Sequence, residues 1–212
     1  MKYIIMCGGK YPKWDKPRHL LEINGEPIVA RTIRLLREQG VTDIAISSNS
    51  EWFEGLGVPV LHHENSYVGI EYNHSSGHWC DAFYPTGEPT TYLFGDVIFS
   101  PEAIRTIVEY ETDDIMLFAS KYPYSPKYLK WWPEPFAFKV TDTDHLRRTI
   151  EEVKRLNSIG AFYRKPIAWE VWNVAKGGNP NAINPYYVAI NDYTVDIDGP
   201  AEIRDVLKKM KI

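Results

Sequence analysis

The chain has 212 residues, with 24 basic against 28 acidic side chains and a formal net charge of −4 at pH 7. This length buries a full core, and 44% hydrophobic with 25% charged content excludes intrinsic disorder, collagen and coiled coil. Only Cys7 and Cys80 are present, which excludes a disulfide scaffold; the acidic balance argues against nucleic-acid binding, and no apolar run is long enough to span a membrane.

Taken in chain order, Tyr3 to Cys7 is a continuous apolar run ending in Gly8-Gly9, which predicts a strand buried on both faces and closed by a tight turn. A polar loop from Lys10 to His19 follows, and Asn24-Gly25 signals a turn. Pro27 opens a helix whose apolar stripe is Ile28, Val29, Ile33 and Leu36; Arg31, Arg34 and Arg37 lie largely off it, and Gly40 ends it. Val41 to Ser48 alternates as a second strand. Strand, helix and strand in this order form a βαβ unit, which requires a parallel sheet. Further strands are expected at Val58 to Leu61, Thr91 to Phe94, Asp114 to Ser120, Phe136 to Val140 and, once or twice, within Tyr186 to Asp196. Helices are expected after Ser100-Pro101, over Thr143 to Leu156, and over Ala201 to Met210. The whole, residues 1–212, reads as one α/β domain: a Rossmann-like, GT-A-like, mostly parallel sheet flanked by helices. Two aromatic-rich inserts lie near 62–90 and 121–135, and a variable stretch at 157–185.

Three constellations carry chemistry. The loop from Lys10 to Arg18 holds Lys10, Lys13, Lys16 and Arg18 against Asp15, a local charge of +3 at the carboxyl end of the first strand. Open α/β sheets bind ligands at that edge, paired glycines admit a phosphate close to the backbone, and clustered cations neutralise a polyphosphate. The same pattern also reads as a solvated basic loop; neither a P-loop nor a G-x-G-x-x-G spacing is present. In Tyr92-Leu93-Phe94-Gly95-Asp96, an aspartate follows an apolar strand, where it reads as a turn residue or as a Mg²⁺ ligand. In Asp196-Ile197-Asp198-Gly199-Pro200, two carboxylates at i and i+2 point the same way, although Asp198 also suits a helix N-cap.

The run from Gly8-Gly9 through Lys13, Lys16-Pro17-Arg18, Leu20-Leu21 and Gly25-Glu26-Pro27 resembles the N-terminal signature of the sugar-phosphate nucleotidyltransferase family, in its compact cytidylyltransferase-type members. Leu93 to Asp96 resembles the family's Leu-x-Gly-Asp motif, and Asp196 to Ile203 its Asp-x-Asp-Thr-Pro-Glu-Asp-Leu run. The three motifs fall in the family's order. The resemblance implies that Gly8, Gly9 and Lys13 hold the NTP phosphates, and that Asp96 and Asp198, helped by Asp196, hold Mg²⁺; Lys10 of the cationic loop and Asn49, at the end of the second strand, are expected to bind the nucleotide beside them. The resemblance also implies that Lys13, Lys16 and Arg18 act on the reacting phosphates. The family lysine after the proline is here Arg18, while Lys16 precedes the proline, which leaves open which of the two meets the α-phosphate.

The reaction so implied moves an NMP, with CMP the leaning, from an NTP to a phosphorylated acceptor and releases pyrophosphate. Its partners are an NTP and a small phosphorylated acceptor, a sugar phosphate or a phospho-alcohol such as phosphocholine. A GT-A glycosyltransferase reading Asp196-Ile197-Asp198 as its metal motif is the alternative, as is a nucleotide-binding regulatory protein with weakened catalysis. A cytoplasmic location is expected from the absence of a secretory pattern, and homo-oligomer formation is left open.

The 7 Trp, 14 Tyr and 8 Phe fill a core or line a cleft. Core filling is the default for Tyr122, Tyr124, Tyr128, Trp131, Trp132, Tyr163, Trp169 and Trp172. Trp131, Trp169 and Glu170 are also the expected acceptor-binding residues, by likeness to an aromatic-acid pair in some family members and by the cation–π chemistry of an amine cage. His62-His63-Glu64 looks like a metal cluster, but adjacent histidines in a strand face opposite sides. Glu71, His74 and His78 have helical spacing and read as an exposed face before a zinc site.

Overall fold

The apolar runs fold as the strands their patterning requires. In the computed structural model, which describes residues 1–8, 16–63, 78–121, 124, 133–182, 184–198 and 200–210, they begin with β1 (Lys2–Met6). There follow the short β2 (Glu22–Ile23) and β3 (Glu26–Pro27), α1 (Ile28–Glu38), β4 (Ile44–Ser48), β5 (Val60–His62), α2 (His78–Asp81), β6 (Thr90–Phe94) and β7 (Val97–Ile98). The remaining elements are α3 (Pro101–Glu109), β8 (Ile115–Ser120), β9 (Pro135–Val140), α4 (Thr143–Ser158), α5 (Ala168–Ala175), β10 (Val188–Ile190), β11 (Val195–Asp196) and α6 (Pro200–Met210).

Seven of these strands form one sheet, in the order β10-β8-β9-β6-β1-β4-β5. The pairs β1/β4, β1/β6, β4/β5 and β8/β10 are parallel, and only β9 runs against its neighbours β6 and β8. The fold class is therefore the expected one, an α/β sheet of mostly parallel strands flanked by helices. β4 and β6 are buried at every position and β1 at all but its first, as strands covered on both faces must be. The polar members of β4 keep their hydroxyls satisfied: Ser47 donates to Ala82 O at 2.6 Å and Ser48 to Cys7 O at 3.1 Å.

From β1 the chain moves through α1 to β4 and β5 on one side, then returns to β6 on the other side of β1. The strand order thus reverses between β1 and β6, the position at which open α/β sheets leave a crevice beyond the carboxyl ends. Gly40, at φ +80°, ends α1 in the left-handed conformation expected of it.

Two expectations need correction. Arg31 is not off the packed face of α1: it is buried, and its Nη1 donates to Phe99 O at 2.5 Å, tying α1 to the chain after β7. The variable stretch 157–185 contains a regular helix, α5, which the periodicity did not disclose. Seven of its eight residues are buried, so no polar face alternates with an apolar one and the 3.6-residue signal is absent.

The main core lies around the sheet, with edge-to-face ring pairs such as Phe83–Phe138 at 5.3 Å and Trp79–Phe94 at 5.1 Å. A second, smaller core gathers Ile23, Ile28, Ile98, Val195, Ile197 and Val206 beneath α6. Among the described residues, no helix is long and apolar enough to cross a membrane.

Candidate active site

Met6 of β1 lies opposite Phe94 of β6, so the segments Cys7-Gly8 and Gly95-Asp96 leave the sheet side by side. The Gly95 amide donates to Met6 O at 3.0 Å. A Cβ at position 95 would sit 2.5 Å from Cys7 Sγ, 2.7 Å from Met6 O and 2.8 Å from His19 Cδ2. This glycine is required by close approach of a neighbouring backbone, beyond what a turn alone would demand.

The third motif arrives by a separate route. β11 pairs antiparallel with β7, Asp196 opposite Val97, and the Ile197 amide donates to Asp96 O at 2.9 Å. Ile197 is buried in the second core, which fixes the segment from below and sets Asp198 beside Asp96. Arg18 stands in a short 3₁₀ turn, Arg18–Leu20, 180 positions away from Asp198 in the chain. Its guanidinium spans the two carboxylates, Nη2 at 2.6 Å from Asp96 Oδ2 and Nη1 at 2.9 Å from Asp198 Oδ1. Residues of all three motifs thus meet at one cation. Lys16, by contrast, has its ammonium 3.9 Å from Glu22 Oε1.

His19, next to Arg18, is buried with its ring edge-on to Phe53 at 5.7 Å. Burial lowers its pKa to about 4, against the pull of the Asp96 charge, so it is neutral at pH 7. Burial, reinforced by Asp96, pushes the Cys7 thiol well above its ordinary value, and burial takes Cys80 to about 12. Neither thiol is set up as a nucleophile.

On the other side of β1, Asn49 follows β4 and is partly buried. His63 follows β5, its amide donating to Ser48 O at 3.0 Å. Its imidazole lies against Gly8, where a Cβ would be 3.2 Å from Cε1 and Nε2. His62 points elsewhere, with Nε2 2.9 Å from Glu54 Oε1, as strand alternation requires. His63 is therefore a wall of the glycine loop that the sequence reading passed over. The signal was available: alternation puts it opposite His62, and β5 is the outer neighbour of β4.

Two of the expected acceptor residues, Trp169 and Glu170, are placed differently. Trp169 is fully buried with its indole N–H donating to Pro133 O at 2.8 Å. Glu170 is buried, accepts from the Ile167 amide at 3.0 Å and pairs with Arg164 at 2.6 Å. Both face the interior as parts of α5, so neither ring nor carboxylate forms an open cage; a mostly buried helix gives its aromatics to the core. Trp172 is buried as well, Tyr163 is exposed, and Tyr124 stands edge-on to Tyr193 at 5.7 Å. Gly9, Lys10, Lys13, Glu64, Glu71, His74, Tyr122, Tyr128, Trp131, Trp132 and Gly199 lie outside the described residues.

A further acidic group sits at the opposite edge of the sheet. Asp114, Asp142 and His145 offer ligand atoms within 4.8 Å of one another. They are engaged with protein partners: His145 Nδ1 lies 2.5 Å from Asp114, Lys176 donates to Asp114 at 2.9 Å, and Asp142 caps α4 by accepting from the His145 amide at 2.7 Å. With His145 and Lys176 both on Asp114 and Asp142 committed to the α4 cap, the group acts as a structural brace.

For the metal that the resemblance implies, the fit rests on the donors. Asp96, between β6 and β7, and Asp198, between β11 and α6, supply hard anionic oxygens, and both are held on one cation, the Arg18 guanidinium. The pair is suited to a divalent ion once that guanidinium yields.

Known proteins are similar to this chain in family and in fold. A family model described as the MobA-like NTP transferase domain matches residues 3–165. No match was found among curated proteins. Among solved structures, the inositol-1-phosphate CTP transferase from T. maritima is similar at 16% identity and TM-score 0.58, covering 99% of this chain and 96% of that one. The 2-C-methyl-D-erythritol 4-phosphate cytidylyltransferase from Thermus thermophilus is similar at 12% identity and TM-score 0.59, covering 100% and 98%. A putative glucose-1-phosphate thymidylyltransferase from Bacillus anthracis is similar at 17% identity and TM-score 0.56, covering 100% and 96%.

Proposed function

Because the chain belongs to the MobA-like NTP transferase family, and so is a nucleotidyltransferase, we propose that it transfers CMP from CTP to a small phosphorylated acceptor, a sugar phosphate first of all, with Mg²⁺. The observation that carries this reading is the meeting of Asp96, Asp198 and Arg18 at the switch point between β1 and β6.

An acceptor phosphate oxygen attacks the α-phosphorus, the bond from that phosphorus to the α,β-bridging oxygen breaks, and pyrophosphate leaves. The acceptor phosphate is already a nucleophile, so the chain needs no general base. Asp96 and Asp198, with Asp196 in support, would hold Mg²⁺, which supplies charge neutralisation at the α-phosphate. Gly8 and Gly9 let the phosphates approach the backbone, and Lys10, Lys13 and Asn49 bind the nucleotide. Lys13, Lys16 and Arg18 offset charge on the reacting centre and on pyrophosphate. The preference for cytidine draws on the compact layout shared with the CTP transferase and cytidylyltransferase structures. A sugar phosphate is favoured over phosphocholine because Trp169 and Glu170 are buried and leave no amine cage in α5.

Pyrophosphate release is the test, measured for CTP, UTP, GTP and ATP against a panel of sugar phosphates and phospho-alcohols. CTP with one sugar phosphate is expected to react fastest, and Asp96→Asn to cut the rate by about 10²-fold or more. Silence of every pair overturns the reading; full activity in Asp96→Asn removes the metal assignment.

A further inference from the structure

Arg18 does something at this site that a phosphate-binding cation need not do. It stands between the two carboxylates, one nitrogen of its fork on each, at 2.6 Å and 2.9 Å. Asp96 is largely buried and Asp198 is exposed; the segments bearing them are tied to each other by the Ile197 amide donating to Asp96 O at 2.9 Å, and each is anchored besides, one by the Gly95–Met6 contact and the other by Ile197 in the second core. The carboxylates therefore cannot easily part to make room for a second cation beside the guanidinium.

Charge sets the order of binding. Among the described residues, these two carboxylates and one guanidinium sum to −1. A divalent ion added without moving Arg18 would take the group to +1 and place two cations at close range, which is unfavourable where water is partly excluded. A triphosphate resolves the conflict: its oxyanions match the planar fork of a guanidinium as well as carboxylates do, so Arg18 can exchange one set of oxygens for the other. A lysine at 18 would bring its three N–H donors on one nitrogen, a compact point charge in place of a planar fork that sets a separate nitrogen against each carboxylate. Lys16 stands at Glu22, not at this pair.

We propose that Arg18 is the resident cation of the metal position, holding Asp96 and Asp198 together in the nucleotide-free protein, and that a divalent ion enters only with a nucleotide whose phosphates draw Arg18 away. Arg18 is thus a positioning residue for the metal ligands as well as a contact for the substrate. Binding of metal and nucleotide is coupled, and each raises the affinity of the other by the same factor. This inference rests on the proposed reaction for the identity of the nucleotide, but not for the behaviour of the nucleotide-free site.

The experiment uses the full chain without nucleotide. Mn²⁺ is titrated and followed by the EPR signal of the free ion, with thermal unfolding in Mg²⁺ as a second readout. The wild type is expected to bind Mn²⁺ weakly and to show no rise in Tm with Mg²⁺. Arg18→Gln removes the competing charge; it is expected to bind one Mn²⁺ about tenfold or more tightly, within the range of ordinary coupling, and to gain Tm with Mg²⁺. The added change Asp96→Asn should abolish that gain. Arg18→Lys, which keeps the charge and loses the fork, should fall between and serves if the glutamine variant does not fold. The proposal is overturned if neither variant binds Mn²⁺ more tightly than the wild type, or if the tighter site survives Asp96→Asn. Pyrophosphate release by the wild type is scored separately: if it is seen and the Mn²⁺ site of Arg18→Gln is not, only the role of Arg18 falls. If the Mn²⁺ site appears and no pyrophosphate does, the role of Arg18 stands and the assigned reaction falls.

Discussion

An alanine at position 95 would bring its Cβ to 2.5 Å from Cys7 Sγ and 2.7 Å from Met6 O, and the second of these is backbone in the central strand. Gly95→Ala is therefore expected to lose about 1–3 kcal/mol in urea unfolding, and to lose activity beyond that because Asp96 is the next residue. His19 gives a pH dependence of known sign. Its folded pKa is about 4 against an ordinary 6.5, lowered chiefly by burial, so the unfolded chain takes up its proton first as pH falls. Stability from this group is intact above pH 6.5, declines between about 6.5 and 4, and amounts to roughly 3 kcal/mol at the limit. Urea midpoints measured across that window should fall in the wild type and fall less steeply in His19→Gln.

Elements, in turn, position Asp198. β11 is two residues long and holds to β7 by one short antiparallel ladder, too little to be stable in isolation. What secures it is the second core, in which Ile197 is fully buried with Ile98, Val195 and Val206. Ile197→Ala is expected to cost about 2–4 kcal/mol by the cavity it leaves, read as a lower denaturant midpoint. Because the main sheet does not depend on this core, the far-UV circular dichroism should stay near wild type while kcat/KM falls with the loosened Asp198. A fall in stability with unchanged kcat/KM would show that Asp198 is placed by something other than this core. α5 shows the reverse relation between sequence and element: its burial hid its periodicity, and its two tryptophans are core, so the aromatic excess in this part of the chain answers to packing.

Across the whole molecule the two edges of the sheet have different chemistry. At the carboxyl edge Asp96 and Asp198 share a replaceable cation; at the other edge Asp114, Asp142 and His145 are braced by Lys176 and by the α4 cap. Ligand binding should therefore stabilise the protein through the first edge. CTP and Mg²⁺ together, at a hundredfold their dissociation constant, are expected to add about 2.7 kcal/mol, or roughly 5–10 °C in Tm, reversed by EDTA. No shift under those conditions would remove CTP as the nucleotide.

Much of this architecture was legible in the residues. Apolar runs ending in Gly8 and Gly95, the helix from Ile28 to Gly40 and the capped start at Ser100 are local patterns, and short-range sterics, period and hydrogen bonding set them whatever the rest of the chain does. The three motifs could likewise be found and ordered, because each is a run of a few neighbouring residues. What the runs do to one another was not there to read. That Arg18 grips Asp96 and Asp198 at once, that His63 walls Gly8, that Arg31, Trp169 and Glu170 turn inward, and that Gly95 is fixed by Met6 are relations between distant positions. Local sequence determines which segments become strands and helices and which residue types stand at their ends. Only packing the segments around the sheet decides which charged groups come within 3 Å of each other, since that distance depends on every element between them.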